Sequence, residues 1–350
     1  MKPAIRLVVL APLCVLLAAT ACGGKAKPKA TPDKSAVSST QVPSTTAAST
    51  TPPPPPPPVN PLTGTAPVPT GPVVAVKIDD TANGRPMRNI DAADVVYIEQ
   101  VEGGLTRLLA VYATNKPLVE AVRSTRASDP ELVAQYGPID YVASGGAANP
   151  LSVLDASPLK STINDRNGPG FTRDNNRYAP YNLIADLAKV STALPGGGGS
   201  KDVGFTWSAD ASAIASDPAA NTFSTVVGST PVRFDYDAST AKYVRVIGGV
   251  PQKQSDGAPV ATPNVIVQFC SVTPYPADID VNGNPSQYTH SVGTGAVSVF
   301  RGGKRIDGAW SRPSADSPTS FVGSDGKPIA LTPGGTWVVL VATGATLTSS

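Results

Sequence analysis

The sequence predicts an α+β fold: a mixed α/β region at residues 61–200, then a mainly β region at 201–350, carried on a disordered Pro/Ser/Thr-rich tether. Three observations predict it. Apolar runs of strand character alternate with capped helical segments as far as LPGGGGS (194–200). Beyond that break the chain reads as strands and turns. Between residues 23 and 60 it has almost no large apolar side chain to bury.

Residues 1–21 have the form of a signal peptide. Lys2 and Arg6 precede an apolar run from Leu7 to Ala21, shorter than the roughly 20 residues a membrane span needs. The run ends in Ala19-Thr20-Ala21-Cys22-Gly23, which resembles a bacterial lipobox. That resemblance implies cleavage before Cys22, lipidation of its thiol, and an address on the outer face of the cell membrane. Of the three cysteines, Cys14 falls in the signal and Cys22 is the lipid site that the resemblance implies, an ordinary secretory signal ending near a cysteine being the alternative. Cys270 is left alone in NVIVQFC, so no intrachain disulfide is expected and a buried, inert thiol is. Residues 22–60 follow as linker. Their composition cannot offset the entropy of ordering, and Pro52 to Pro58 suit a polyproline II rod rising about 3.1 Å per residue.

In the first folded region, PVVAVKID (72–79) reads as a strand. NIDAADVVYIEQV (89–101) turns and becomes a second strand, and LTRLLAVYA a third. Gly103-Gly104 between the last two suggests a two-residue hairpin turn. ASDPELVAQYG (127–137) carries a helix start at Ser128 or Asp129, with Pro130 in the first turn and Glu131 at capping-box spacing from Ser128. IDYVASGG (139–146) is a strand, and NPLSVLDASPL and YNLIADLAKVSTAL (181–194) read as helices.

In the second region, PVRFDYD and AKYVRVIGG form a hairpin around Ala238-Ser239-Thr240, and AVSVFRGGKRIDGAW another around Gly302-Gly303. NVIVQFC is a buried strand, and SFVGSDGKPIALTPGGTWVVLVAT suggests two more strand pairs. A small barrel or sandwich is expected.

Charge and residue counts narrow the chemistry. The net charge is +2 with no basic block beyond the tether, so nucleic acid is not expected as a partner. His290 is the only histidine, in a turn-rich stretch, so no zinc site, no metal and no histidine triad is expected; no cofactor motif appears either. Carboxylates and arginines remain. With a two-residue turn, Gln100 would face Arg107, and Glu102 would share their face while Glu99 pointed away. Glu102 and Arg107 then form either a structural ion pair or one wall of an anion site. AVRSTRASDPE sets Arg123, Ser124 and Arg126 just ahead of the capped helix, and GFTRDNNRYAPYN adds Arg173, Arg177 and Asn182. Guanidiniums and hydroxyls of this kind can hold a carboxylate or phosphate. Asp79 and Asp80 end the first strand, where α/β sheets often place a ligand crevice.

The order of these motifs resembles the YerB-like bacterial lipoproteins of the cell envelope. NPLTG (60–64), AVKIDDTANGRPMRNIDAADVVYIEQVEGGLTRLLAVY, VRSTR, YVASGGA, FTRDNNRYAPYN and FRGGKRIDGAWSRP…TPGGTWVVL carry the likeness over roughly residues 60–342. By that resemblance Asp79, Glu99, Glu102, Thr106, Arg107, Arg123, Ser124, Arg126, Gly145, Gly146, Arg173, Arg177, Pro180 and Asn182 stand at family motif positions. Family members often carry histidine near Thr81, near Ala143 and at Tyr181; this chain carries none there. The resemblance implies a two-part extracytoplasmic protein. Two readings of its function follow. One is a binding module for an anionic wall component or a wall-synthesis protein, held through Arg107, Arg123, Ser124, Arg126, Arg173, Arg177, Asn182, Gly145 and Gly146. The other is a wall-glycan hydrolase using Asp79, Glu99 or Glu102 as acid and base, which needs two carboxyls about 5–10 Å apart.

Overall fold

The structure is a computed structural model that describes residues 58–193, 199–280 and 282–350. The signal peptide, Cys22 and the tether up to Pro57 lie outside the described residues, as does most of the LPGGGGS break.

The first region supplies β1 (Val74–Asp79), β2 (Val95–Gln100), β3 (Thr106–Tyr112), β4 (Leu118–Glu120), β5 (Asp140–Ala143), β6 (Lys160–Ile163), β7 (Phe171–Arg173) and β8 (Leu183–Asp186). It also holds α1 (Asp129–Val133), α2 (Ala148–Ala156) and α3 (Leu187–Ala193). The strands β1, β2, β3 and β5 are mainly apolar and buried on both sides, as central strands must be, with their charged residues Lys77, Asp79, Glu99, Arg107 and Asp140 set among apolar ones. The α+β class is the observed one. The segment 181–194 divides, however: Leu183–Ile184–Ala185 pairs with β4 and β7 as a strand, and only the more polar remainder turns helical.

One ten-stranded sheet spans both regions. Its order is Ser320–Gly323, Lys304–Arg312, Gly293–Arg301, Asn264–Cys270, Thr336–Ala342, β2, β3, β1, β5, β6. The seam is a parallel pairing of β2 with Thr336–Ala342, Val95 opposite Thr336 through Ile98 opposite Val339. The second region is therefore no free-standing barrel or sandwich. Its apolar strand TWVVLVA has β-branched side chains for both faces, so it needs neighbours on both edges and finds one of them in β2. The strands expected within 320–342 form, but they pair elsewhere: Ala330–Leu331 with Thr206–Trp207, and Ser320–Gly323 with Lys304–Arg312. The two expected hairpins are present, with Asp237 opposite Lys242 and Arg301 opposite Lys304.

Both faces of the sheet are covered. On one, Val76, Ile98, Leu108, Val267 and Val339 meet the inner face of a second sheet built from Thr222–Val227, Thr230–Asp237 and Lys242–Ile247. Phe223 there stacks on Phe300 at 3.9 Å between ring centroids and on Phe234 at 5.5 Å. On the other, Val95, Leu109, Val111, Ile266 and Val338 meet Leu132, Val133 and Tyr136 of α1 and the turn after it. Each such side chain contributes about 1.5–3 kcal/mol by leaving water. Cys270 is buried and unpaired, and burial pushes its thiol up to about 12.

Candidate functional site

β1 and β5 run in parallel from Val74 opposite Asp140 to Val76 opposite Val142, and then separate. The segment after β4 fills the fork. Asp79 N–H donates to the Ala121 carbonyl and Arg123 N–H to that of Lys77, while Ser144 N–H donates to Arg123 O and Thr125 N–H to Gly145 O, each at 2.9 Å. VRSTR is thus sewn between two diverging strands, at the carboxyl ends of β1, β2, β5 and β6. Crevices at such strand ends are where open α/β sheets receive ligands.

The register at the β2–β3 turn corrects the expected one. Gln100 lies opposite Thr106 and Glu99 opposite Arg107, which in turn lies opposite Asp79 on β1. The connection is longer than two residues: Val101 N–H donates to Leu105 O, and Gly103 and Gly104 both take positive φ, 63° and 72°, in a 3₁₀ turn. One residue of slip exchanges the faces. Glu99, Arg107, Asp79 and Lys77 therefore share the α1 face, and Gln100, Thr106 and Asp80 the other.

On the α1 face the charges form one network. Glu102 accepts from Arg107 Nη2 at 3.0 Å and from Arg126 Nε at 2.7 Å, with Arg126 Nη2 also in contact. Burial opposes ionisation of Glu102, but Arg107 and Arg126 outweigh it and hold the carboxyl at about 2. Burial and the neighbouring Arg126 pull Arg107 down to about 10 against the attraction of Glu102. Lys77, wholly buried, contacts Glu99 and donates to Asp129 at 2.7 Å. Four cations (Lys77, Arg107, Arg123, Arg126) face five carboxylates (Asp79, Glu99, Glu102, Asp129 and, 3.8 Å from Arg126, Asp278).

Arg123 differs from its neighbours. Its Nε donates to Asp79 Oδ2 at 2.9 Å, and its guanidinium lies over the Tyr181 ring, 5.2 Å from the centroid. Asp79 Oδ1 is in turn fixed by the Thr81 N–H at 2.7 Å and the Thr81 hydroxyl at 2.6 Å. Both terminal nitrogens of Arg123 are without a hydrogen-bond partner among the described residues, and the side chain keeps 19% of its exposure. Arg126, by contrast, spends all three nitrogens on Glu102 and the Thr125 carbonyl. Arg107 spends both terminal nitrogens on Glu102 and the Ser124 carbonyl.

The other expected site residues divide. Ser124 is half-buried, its hydroxyl 3.4 Å from that of Ser144. Arg173 does not join the network; it is exposed and donates to Asn182 Oδ1 at 2.8 Å. Arg177 clamps the 83–86 loop through the Asn83 and Pro86 carbonyls and meets buried Glu120 at 3.3 Å. Asn182 holds the 174–177 turn by donating to the Asp174 and Arg177 carbonyls. Gly145 and Gly146 serve packing: a Cβ on the first would collide with the Asp165 carboxylate, and on the second would lie 2.8 Å from Thr125 Cγ2. The capping box at α1 is not formed. Ser128 donates to Glu99 instead, while Glu131 accepts from the Ser291 and Val292 N–H groups and the Tyr288 hydroxyl. His290 is half-buried beside Tyr288 and bonds Thr273.

The sequence reading missed Lys77, Asp129 and the pair Asp80–Arg245. On the second face Arg245 grips Asp80 with both terminal nitrogens, at 2.8 and 2.6 Å, and Thr106 donates to the same carboxylate at 2.7 Å. A signal was present: Lys77 and Arg245 are lone charges inside apolar strands, VAVKID and KYVRVI, and a buried charge requires a partner. Among the described residues no group of His, Cys, Asp and Glu is arranged for a metal ion.

Comparison with known proteins agrees with this architecture. The N-terminal domain of the protein of unknown function DUF3048 matches residues 62–200, and the C-terminal domain of the same family matches 222–338. The crystal structure of the YerB protein from Bacillus subtilis superposes with a TM-score of 0.69 at 22% identity, covering 83% of this chain and 99% of that one. No curated protein matches the chain. With both domains present in order over most of its length, the chain belongs to the two-part DUF3048, YerB-like family.

Proposed function

We propose that this protein is a lipid-anchored, extracytoplasmic binding module that receives an anionic group of the cell wall, a stem-peptide carboxylate or a polymer phosphate, on Arg123. The observation that carries the reading is the presentation of that guanidinium: Asp79 fixes its Nε, Tyr181 supports its plane, and two parallel donors are left for a ligand. That fork matches a carboxylate or phosphate bidentately. Exposed Tyr178, edge-on to Tyr181 at 5.6 Å, gives a flat apolar surface beside it for the body of the ligand. The lipobox-like Ala19–Gly23 and the proline-rich tether support the address, with Cys22 as the lipidated residue. A docked wall-synthesis protein would use the same donors through an acidic side chain.

The network favours binding over glycan hydrolysis. Glu102 carries two guanidiniums and holds no proton at neutral pH, and Asp79 has both oxygens engaged. A glycosidase acid must do the opposite and keep its proton. Incubating residues 58–350 with purified wall separates the readings. Binding sends the protein into the pellet with intact wall, and Arg123→Ala leaves it in the supernatant. Soluble glycan fragments released by the wild type and lost in Glu102→Gln would instead establish the hydrolase. In the full chain, Cys22→Ser is expected to move the protein from the membrane fraction to the medium.

A further inference from the structure

A cavity of about 520 Å³ opens on the second face, between the carboxyl end of β1, the β2–β3 turn and the sheet of Thr222–Val227, Thr230–Asp237 and Lys242–Ile247. Asp80, one residue past β1, lines it from the side opposite Asp79, and the cleft meets the Arg123 network at Thr81, which lines it and bonds Asp79. Its volume is in the range of small-molecule sites. Its walls are mostly apolar, with Leu105, Val232 and Val246 among them, and the hydroxyls of Thr81, Thr106 and Thr230 are turned away to bond Asp79, Asp80 and the Gly104 carbonyl.

Arg85 is the uncommitted group. It makes no hydrogen bond among the described residues, and its nearest counter-charge is Asp80 at 4.0 Å. Asp80 is already satisfied by both terminal nitrogens of Arg245 and by Thr106. Arg233 at the rim is neutralised by Asp235 at 2.8 and 3.0 Å. The cleft thus carries one unbalanced positive charge, on a guanidinium that is four-fifths buried, against an apolar wall. A largely buried cation without a hydrogen-bonding partner is costly to keep and is best satisfied by an anion.

We propose that this cleft binds an amphiphilic anion, with a carboxylate or phosphate-ester head on Arg85 and an aliphatic body against Leu105, Val232 and Val246. The charge sets the head and the wall sets the tail; a cation is excluded by Arg85, and a fully polar anion leaves the apolar surface wet.

Calorimetric titration of residues 58–350 tests this with octanoate, octyl phosphate, inorganic phosphate and octyltrimethylammonium. Octanoate or octyl phosphate is expected to bind saturably, and the stronger of the two identifies the head group. Inorganic phosphate should bind this cleft far more weakly and octyltrimethylammonium not at all. Arg85→Ala should weaken the octyl anion about tenfold or more, the factor of a lost charge-assisted hydrogen bond. Leu105→Asp, at a position 48% exposed and so tolerant of change, should weaken it as well. Arg123→Ala should remove only the head-group binding that acetate or inorganic phosphate shares and leave the chain-dependent binding of the octyl anions, which separates this cleft from the wall-binding site. Equal affinity in wild type and Arg85→Ala, equal binding of the octyl cation, or no binding of either octyl anion would overturn the proposal.

Discussion

At the residue scale the molecule is governed by where each charge finds its partner. Glu102 is the hinge of the first network, because it neutralises two arginines that approach from different elements. Its carboxyl is held at about 2 in the folded protein, against an ordinary value near 4.5. A depressed carboxyl stabilises the fold above its unfolded value and loses that contribution as pH falls through the folded one. The stabilisation from Glu102 is thus complete above about pH 4.5 and disappears towards pH 2, an effect on the order of 3 kcal/mol. Urea unfolding of wild type and Glu102→Gln between pH 7 and pH 2.5 should show the gap between them closing across that window. A constant gap would show that the arginines do not depend on the charge of Glu102. These residues were partly legible in the sequence. Arg107, Arg123, Arg126 and Glu102 could be named as a group, because they crowd into two short polar stretches beside apolar strands. Which of them keeps free donors could not be read, since that depends on backbone carbonyls of Ser124 and Thr125 that no spacing rule locates.

At the element scale, turns and forks decide the chemistry. The 3₁₀ turn Glu102–Gly104 moves Glu99 to the face of Arg107, which a two-residue turn would have prevented. Two glycines in sequence suggest a hairpin but do not count its residues, so the hairpin was legible and its register was not. The loop after β1 has the same leverage. A Cβ added to Gly84 would lie 2.6 Å from the Asp79 Cβ, and Asp79 is 1% exposed and cannot move aside. Gly84→Ala should therefore cost about 1–3 kcal/mol, the usual penalty of overpacking. Because Asp79 orients Arg123, the variant should also weaken wall binding. A thermal melt together with the sedimentation assay checks this. Unchanged binding in a destabilised Gly84→Ala protein would show that Asp79 does not set the Arg123 geometry.

At the scale of the whole molecule, two family domains share one sheet. The predicted sequence classes, mixed then mainly β, are the observed ones. The joint between them was hidden, because a parallel pairing between β2 and a strand some 240 residues later leaves no local pattern. The consequence is mutual dependence. Residues 58–200 alone would expose the edge of β2 and one apolar face, and residues 201–350 alone would expose the edge of Thr336–Ala342. Neither fragment should show a cooperative unfolding transition by circular dichroism, whereas the two co-expressed should recover one. An independent sharp transition in either fragment would mean that the seam is dispensable. The same joint places the Arg123 network on one side of the sheet and the Arg85 cleft on the other, both at the carboxyl ends of the same strands.

The central claim is that Arg123, fixed by Asp79 and Tyr181, presents two free donors to an anion. Its most direct measurement is the nitrogen NMR spectrum of the arginine side chains of residues 58–350 during titration with acetate and with inorganic phosphate. The Arg123 Nε resonance should shift saturably with at least one of them, and the shift should vanish in Asp79→Asn, where the guanidinium loses its anchor. If Arg123 stays still while the signals of surface arginines such as Arg166 drift with salt, the guanidinium is only a structural partner of Asp79 and the binding site lies elsewhere.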